Sequence, residues 1–264
     1  MTGETGGPLA TTRAVLFDLF GTLLIYGDMT RAWGAWLETL HRFLLGEGLT
    51  ADLEEFEAAT KGFFSKPEPE LNAPGDTVFD RRLIALASEL GLALTPDAAA
   101  RIRRPAIDAW MVYVTLDPEA PALLRELSRT HKVALVSNFD AAEPVVRILE
   151  EQHLTPFFDV IAVSDAVGSK KPSPEIFHWT LERLGVEPEE AVHVGDMEDD
   201  IDGARAAGIQ PVLIERWDPG ENPVDYHYDG EPPVGSAAHR AKAGPDGLIH
   251  IKSLAELREL LRRG

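Results

Sequence analysis

Four short stretches of the chain place groups able to do chemistry at or just beyond apolar runs. Asp18 follows the run Ala14-Val15-Leu16-Phe17 and precedes Phe20-Gly21-Thr22, and Ser137 and Asn138 follow a second run ending at Val136. Lys170-Lys171-Pro172 lies in a third stretch, while Gly195-Asp196, with Asp199, Asp200 and Asp202 soon after, closes a fourth. A carboxylate at a strand end can act as a nucleophile or merely cap a helix. A hydroxyl and an amide beside a helix N-terminus favour an anion, because backbone N–H groups point there. A lysine directly before proline carries its ammonium on a stiff mount. Carboxylates this dense repel one another unless a cation or a lysine lies between them, and hard oxygens at such density suit Mg²⁺. Singly, each stretch also reads as a cap, a polar sheet edge, a surface charge or a solvated acidic turn.

The elements that must position these groups are legible as apolar runs. Runs at 14–17, 133–136, 160–163, 191–194, 211–214 and 249–251 predict buried strands, and helix-period segments at 121–130, 142–151, 174–184 and 201–207 alternate with most of them. That alternation argues for an α/β fold with a parallel sheet covered on both faces. Ligands in such folds bind outside the carboxyl ends of the strands, which is where Asp18, Ser137 and Asp196 fall. Residues 29–115 interrupt the alternation with helix-like segments at 30–45, 51–64, 78–90 and 96–113. The expected division is therefore a core of 1–28 and 116–264 with a helical insertion of 29–115. Trp33, Trp36, Leu37, Leu40, Phe43 and Leu44 recur at three- and four-residue spacing, as helices packing on helices require. Trp33, Trp36, Phe63, Phe64, Trp110 and Tyr113 suggest some apolar pocket surface, though core packing is the blander reading for the tryptophans. Segments 22–28 and 116–118 are the two expected crossings, and 218–247, rich in Pro, Gly, Asp and His, reads as a long irregular loop.

Composition narrows the partners. A formal charge of −19 on 264 residues repels nucleic acid and anionic membranes, so an anionic substrate needs a local positive site. The absence of cysteine excludes disulfides, thiolate ligands and a cysteine nucleophile. No leader-like run opens the chain and no stretch reaches a membrane span, so a cytoplasmic monomer or homodimer acting on a small molecule is expected.

Taken in order, Asp, Ser, Lys-Pro and Gly-Asp-x-x-x-Asp after successive strands resemble the four motifs of the haloacid dehalogenase-like superfamily. The resemblance covers roughly the whole chain, with 29–115 resembling the helical cap that subfamily I inserts after the first motif. It implies a Rossmann-like core and a Mg²⁺-dependent hydrolase, most naturally a phosphatase that forms an aspartyl-phosphate on Asp18. It further implies that Ser137 holds a phosphate oxygen, with Asn138 and Thr22 on the substrate side, and that Lys171 neutralises the nucleophile and the transferred group. Asp18, the backbone carbonyl of Phe20, Asp196 and Asp200 become the implied metal ligands, Asp200 alternatively serving to hold Lys171.

One position departs from that pattern. Phosphatases of the superfamily carry a second aspartate two residues after the nucleophile, and here Phe20 stands there. Losing a general acid costs on the order of 10²–10⁴ in rate. A phosphohydrolase then needs a leaving group that requires little protonation, or an acid from the insertion such as Glu38, His41 or Asp28. The 2-haloacid dehalogenases resemble this chain at Phe20, and Arg31 would be their carboxylate clamp, but they carry Ser-Asn where Gly195-Asp196 stands. A phosphonate-cleaving enzyme using Lys61 as a Schiff base meets the bulk of Phe20. A catalytically weak scaffold that binds a phosphorylated ligand or a protein is the remaining reading.

Overall fold

The structure, a computed structural model, describes residues 9–70, 76–217 and 248–262. The expected loop at 218–247 lies outside the described residues.

Six strands form one parallel sheet: β1 (Ala14–Phe17), β4 (Lys132–Ser137), β5 (Val160–Val163), β6 (Ala191–Gly195), β7 (Gln210–Ile214) and β8 (Ile249–Ile251). Their order is β5-β4-β1-β6-β7-β8, so β1 lies inside the sheet with β4 and β6 on either side. The expected α/β class is observed. Alternate residues of each strand face opposite sides. Val15, Phe17, Val133 and Leu135 pack against α5 (Ala120–Leu127), α6 (Ala142–Glu151) and α10 (Leu254–Arg262) through Leu123, Val145 and Leu257. On the other side Ala14, Leu16, Ala134 and Val136 meet α8 (Pro174–Leu184) and α9 (Glu198–Ala206) through Ile176, Phe177 and Ala204. The short α7 (Ser164–Val167) follows β5 directly.

Between β2 (Leu24–Tyr26) and β3 (Val114–Leu116) the chain is helical: α1 (Met29–Gly46), α2 (Leu53–Ala59), α3 (Val78–Glu89) and α4 (Pro96–Met111). These helices bury a core of their own around Trp36, Leu40, Phe56, Leu83 and Ile102. The helix expected at 51–64 ends early, at Ala59, with Thr60 as its C-cap, and Gly62 then takes a positive φ of 75°. The helix expected to reach 113 stops at Met111, because Val114–Leu116 pairs antiparallel with Leu24–Tyr26. Three-residue strands are too short to leave a period in the sequence. The β2–β3 ribbon thus lies within the first expected crossing, 22–28, but on its other side reaches only Leu116 of the expected 116–118, and it is reinforced where Gly27 N–H donates to the Tyr113 carbonyl at 2.8 Å. No described helix is long and apolar enough to cross a membrane.

Helix α3 is also tied to the sheet edge. Val78 N–H donates to Asp165 at 2.8 Å, Phe79 N–H to the Asp140 carbonyl at 2.8 Å, and buried Arg82 pairs through Nε with Asp140 at 2.8 Å. The same guanidinium donates through Nη1 to the carbonyls of Phe63 and Lys66. Removing one partner of a buried pair leaves the other desolvated and unpaired. Arg82→Leu is therefore expected to lower stability by about 2–3 kcal/mol, discounted because Asp140 keeps some solvent. Urea unfolding checks this, and a change below about 0.5 kcal/mol would show that the tie carries no weight.

Candidate active site

The register of the sheet aligns the ends of three strands: Phe17 stands opposite Leu135 of β4 and Val194 of β6. Asp18, Ser137 and Asp196 consequently leave the sheet at one edge. Two glycines let the loops meet there. Gly21 has φ +87°, and a Cβ on it would lie 2.1 Å from an oxygen of Asp196. A Cβ on Gly195 would lie 2.2 Å from Cγ of Asp200. Neither position accepts a side chain without displacing a carboxylate.

Lys171 is the hub. Its buried ammonium donates to Asp18 Oδ1 at 2.6 Å, to Asp200 Oδ1 at 2.6 Å and to the Val136 carbonyl at 3.0 Å. Asn138 fixes the lysine backbone from both ends of its amide: Lys171 N–H donates to Asn138 Oδ1 at 2.8 Å, and Asn138 Nδ2 donates to the Lys171 carbonyl at 2.9 Å. Asn138, expected on the substrate side, lines the cavity but commits its amide to mounting Lys171. Lys170 also lines the cavity but pairs with Glu68 at 3.2 Å rather than with the carboxylate cluster. Asp200, in the first turn of α9, also accepts from His193 Nε2 at 2.8 Å and from Met197 N–H at 3.1 Å. Burial lowers the pKa of His193, so it is read as the neutral tautomer donating to Asp200.

Three buried carboxylates, Asp18, Asp196 and Asp200, bring oxygens within 4.8 Å of one another around this single ammonium. Burial pushes Asp18 up from 3.8 to about 7, against the pull of Lys171. Asp196 is raised well above its ordinary value by burial and then by its two carboxylate neighbours. Burial would raise Asp200 too, yet Lys171 and His193 hold it far below the carboxylate range. Burial likewise opposes the charge on Lys171, and Asp18 and Asp200 more than offset that, keeping it an ammonium. Both oxygens of Asp196, the Ser137 hydroxyl and the Thr22 hydroxyl are buried without a hydrogen-bond partner. Buried acceptors with no donor fit a hard cation, and buried hydroxyls with no acceptor fit an anion beside it.

Above the carboxylates lies a cavity of about 360 Å³, lined by Asp18, Lys171 and Asp200 at its floor and by aromatic rings along its walls. Phe20 stacks on Phe139 at 5.2 Å and meets Trp110 edge-on at 5.3 Å. Trp33 and Trp36 of α1 and Phe64 of the turn after α2 reach this cavity, whereas Phe63 and Tyr113 do not line it. Trp36 is 3% exposed and serves core and wall together. Among described residues, the candidate proton donors Glu38, His41 and Asp28 lie off the cavity, as do Arg31 and Lys61. Asp28 instead caps α1 and pairs with Arg31 at 3.3 Å, and His41 bonds the Ala51 carbonyl at 2.9 Å. The wall carboxylates are Asp140 and Asp199, the latter raised to about 6 by burial and by the nearby charge of Asp200.

Sequence reading missed His193, hidden as an ordinary strand residue, and a clamp at the end of β7. Arg216 donates to the carbonyls of Gly21 and Thr22 and pairs with buried Asp117 at 2.5 Å. Asp117 N–H in turn donates to the Leu23 carbonyl at 2.9 Å. A charged residue immediately beyond a buried strand was the available signal.

The raised pKa values give a signed expectation. The folded chain holds protons on Asp18 and Asp196 that the unfolded chain has released, so stability present below the ordinary carboxylate range is lost as pH rises toward 7. In EDTA the thermal midpoint should fall between about pH 5 and about pH 8, and Asp196→Asn should raise it at the upper end by several degrees. A midpoint that climbs with pH in EDTA would contradict the crowding of these carboxylates.

A family model for haloacid dehalogenase-like hydrolases matches residues 12–208. The glyceraldehyde 3-phosphate phosphatase of Methanopyrus kandleri is 31% identical over 206 residues, covering 77% of this chain and 84% of the relative. The phosphoglycolate phosphatase of Aquifex aeolicus is 42% identical over 104 residues, 39% of this chain, and the match spans about half of that relative, 48%. A HAD phosphatase from Thermococcus onnurineus shares the fold at TM-score 0.61 and 24% identity, covering 95% of this chain and 98% of that one. With three quarters of its length matched by the family model and a site built on Asp18, Ser137, Lys171 and Asp196, the chain belongs to the haloacid dehalogenase-like hydrolases.

Proposed function

We infer that the protein is a Mg²⁺-dependent phosphohydrolase that acts on a small phosphorylated molecule. The observation that carries this reading is the buried Lys171 shared by Asp18 and Asp200 beside an Asp196 whose two oxygens have no donor. The names of the similar phosphatases point the same way. Asp18, Asp196, Asp200 and the Phe20 carbonyl would hold Mg²⁺, which supplies positive charge beside the phosphoryl group.

In this reading Asp18 attacks phosphorus in line with the leaving oxygen, forming an aspartyl-phosphate and dividing one hard displacement into two easier ones. Lys171 stays protonated throughout, neutralising first the nucleophile and then the equatorial phosphoryl oxygens. The Ser137 hydroxyl donates to one of those oxygens, with Thr22 beside it. Water then attacks the same phosphorus, the bond to Asp18 breaks, and phosphate leaves. Asn138 and His193 act through others, holding Lys171 and Asp200 in place. Residues 29–115 serve as the cap domain over a core of 1–28 and 116–264, excluding bulk water from the cavity and selecting the substrate.

Acetyl phosphate, whose leaving group departs as a stable anion, tests the reading without asking for a proton donor. Turnover is expected with Mg²⁺, not in EDTA, and Asp18→Asn should lower it on the order of 10³-fold or more. Metal-independent halide release from 2-chloropropionate would select the dehalogenase chemistry instead. Binding of phosphate without turnover of either compound would leave a scaffold.

A further inference from the structure

The cavity also bears on which phosphate ester the site takes, an inference that rests on the phosphohydrolase reading above. We propose that the protein selects monoesters whose leaving group is a single flat aromatic ring joined to phosphorus through a phenol-like oxygen. Over the charged floor, the walls are rings: Phe20 held between Phe139 and Trp110, and Trp33 stacked on Trp36 at 4.6 Å with Phe64 beside them. Of the charged groups on those walls, Asp140 is engaged by Arg82 and Lys170 by Glu68, which leaves Asp199 as the one charged wall group without an ion pair among the described residues, too few partners for the hydroxyls of a polyol. A polyhydroxylated leaving group would bury hydroxyls against carbon and leave them unpaired, whereas a flat ring gains stacking contacts. At about 360 Å³ the cavity lies at the small end for ligand sites, room for one ring rather than several.

The chemistry agrees with the shape. As Asp18 bonds to phosphorus, the phosphorus–oxygen bond to the ring breaks and its electron pair goes to the phenolic oxygen, which takes its proton from water afterwards. Phe20, two residues from Asp18 and packed among rings, offers no proton at that moment. A phenolate is stable enough to leave without one, and an alkoxide is not.

Steady-state kinetics with Mg²⁺ on phenyl phosphate, benzyl phosphate and glycerol phosphate separate the two halves of the proposal. Ring recognition predicts KM values for phenyl and benzyl phosphate at least about tenfold below that for glycerol phosphate, and a phenol-like leaving group predicts kcat/KM, which reads the step that breaks the ester bond rather than hydrolysis of the shared aspartyl-phosphate, about 10²-fold or more higher for phenyl than for benzyl phosphate. Trp33→Ala should raise KM for phenyl phosphate, and Trp33→Phe, which keeps a ring, should restore it. Equal KM for glycerol and phenyl phosphate, or equal kcat/KM for phenyl and benzyl phosphate, overturns the proposal; the latter would mean that a wall carboxylate such as Asp199 protonates the leaving oxygen. In either case turnover of acetyl phosphate leaves the phosphohydrolase reading standing, and loss of all turnover removes both.

Discussion

A single ammonium buried among three carboxylates sets the terms for everything around it. A charge removed from water is tolerable only when paired and hydrogen-bonded, and Lys171 meets that condition with Asp18, Asp200 and a strand carbonyl. The balance is still short of positive charge. Neither oxygen of Asp196 has a hydrogen-bond partner, and Asp18 rises to about 7 despite its own. An edge this acidic fits a hard cation, and the unpartnered Ser137 and Thr22 hydroxyls fit an anion beside it.

Much of the architecture exists to keep this cluster from relaxing. The parallel register carries Asp18 and Asp196 to one edge, and the missing Cβ atoms of Gly21 and Gly195 allow carboxylates to occupy space that any other residue would fill. Asn138 holds Lys171, His193 holds Asp200, and Arg216 holds the turn that follows Asp18. Preorganised charge costs no rearrangement when the reaction occurs, which is where such supporting contacts act.

The helices answer a different requirement. They bury a core of their own and still turn Trp33, Trp36, Phe64 and Trp110 toward the sheet edge, so the surface above the charges is apolar. The β2–β3 ribbon and the ties at Val78, Phe79 and Arg82 fix how that surface meets the floor. The same residue, Phe20, belongs to both layers: its backbone lies two residues beyond Asp18 and its ring belongs to the wall.

The strands, the alternation that makes the sheet parallel and the four chemical groups were all legible in the chain itself, because apolar period and strand-end residues are local properties. Lys171 rather than Lys170 was singled out by the resemblance, whose lysine directly precedes proline, and its ammonium lies against Asp18. Lengths of elements without a period were not legible: β2 and β3 are three residues each, and their pairing joins positions some ninety residues apart. Nor could the chain alone say that Glu38, His41 and Asp28 fall away from the cavity while Asp140 and Asp199 reach it, or that Arg216 clamps the turn after Asp18. Those outcomes depend on which side chains meet across distant segments, and on the dryness of the place where they meet. Residue type and spacing determined what chemistry was available; only the tertiary packing decided which groups share one buried site and how their charges shift, because desolvation and Coulomb interaction act through space rather than along the chain.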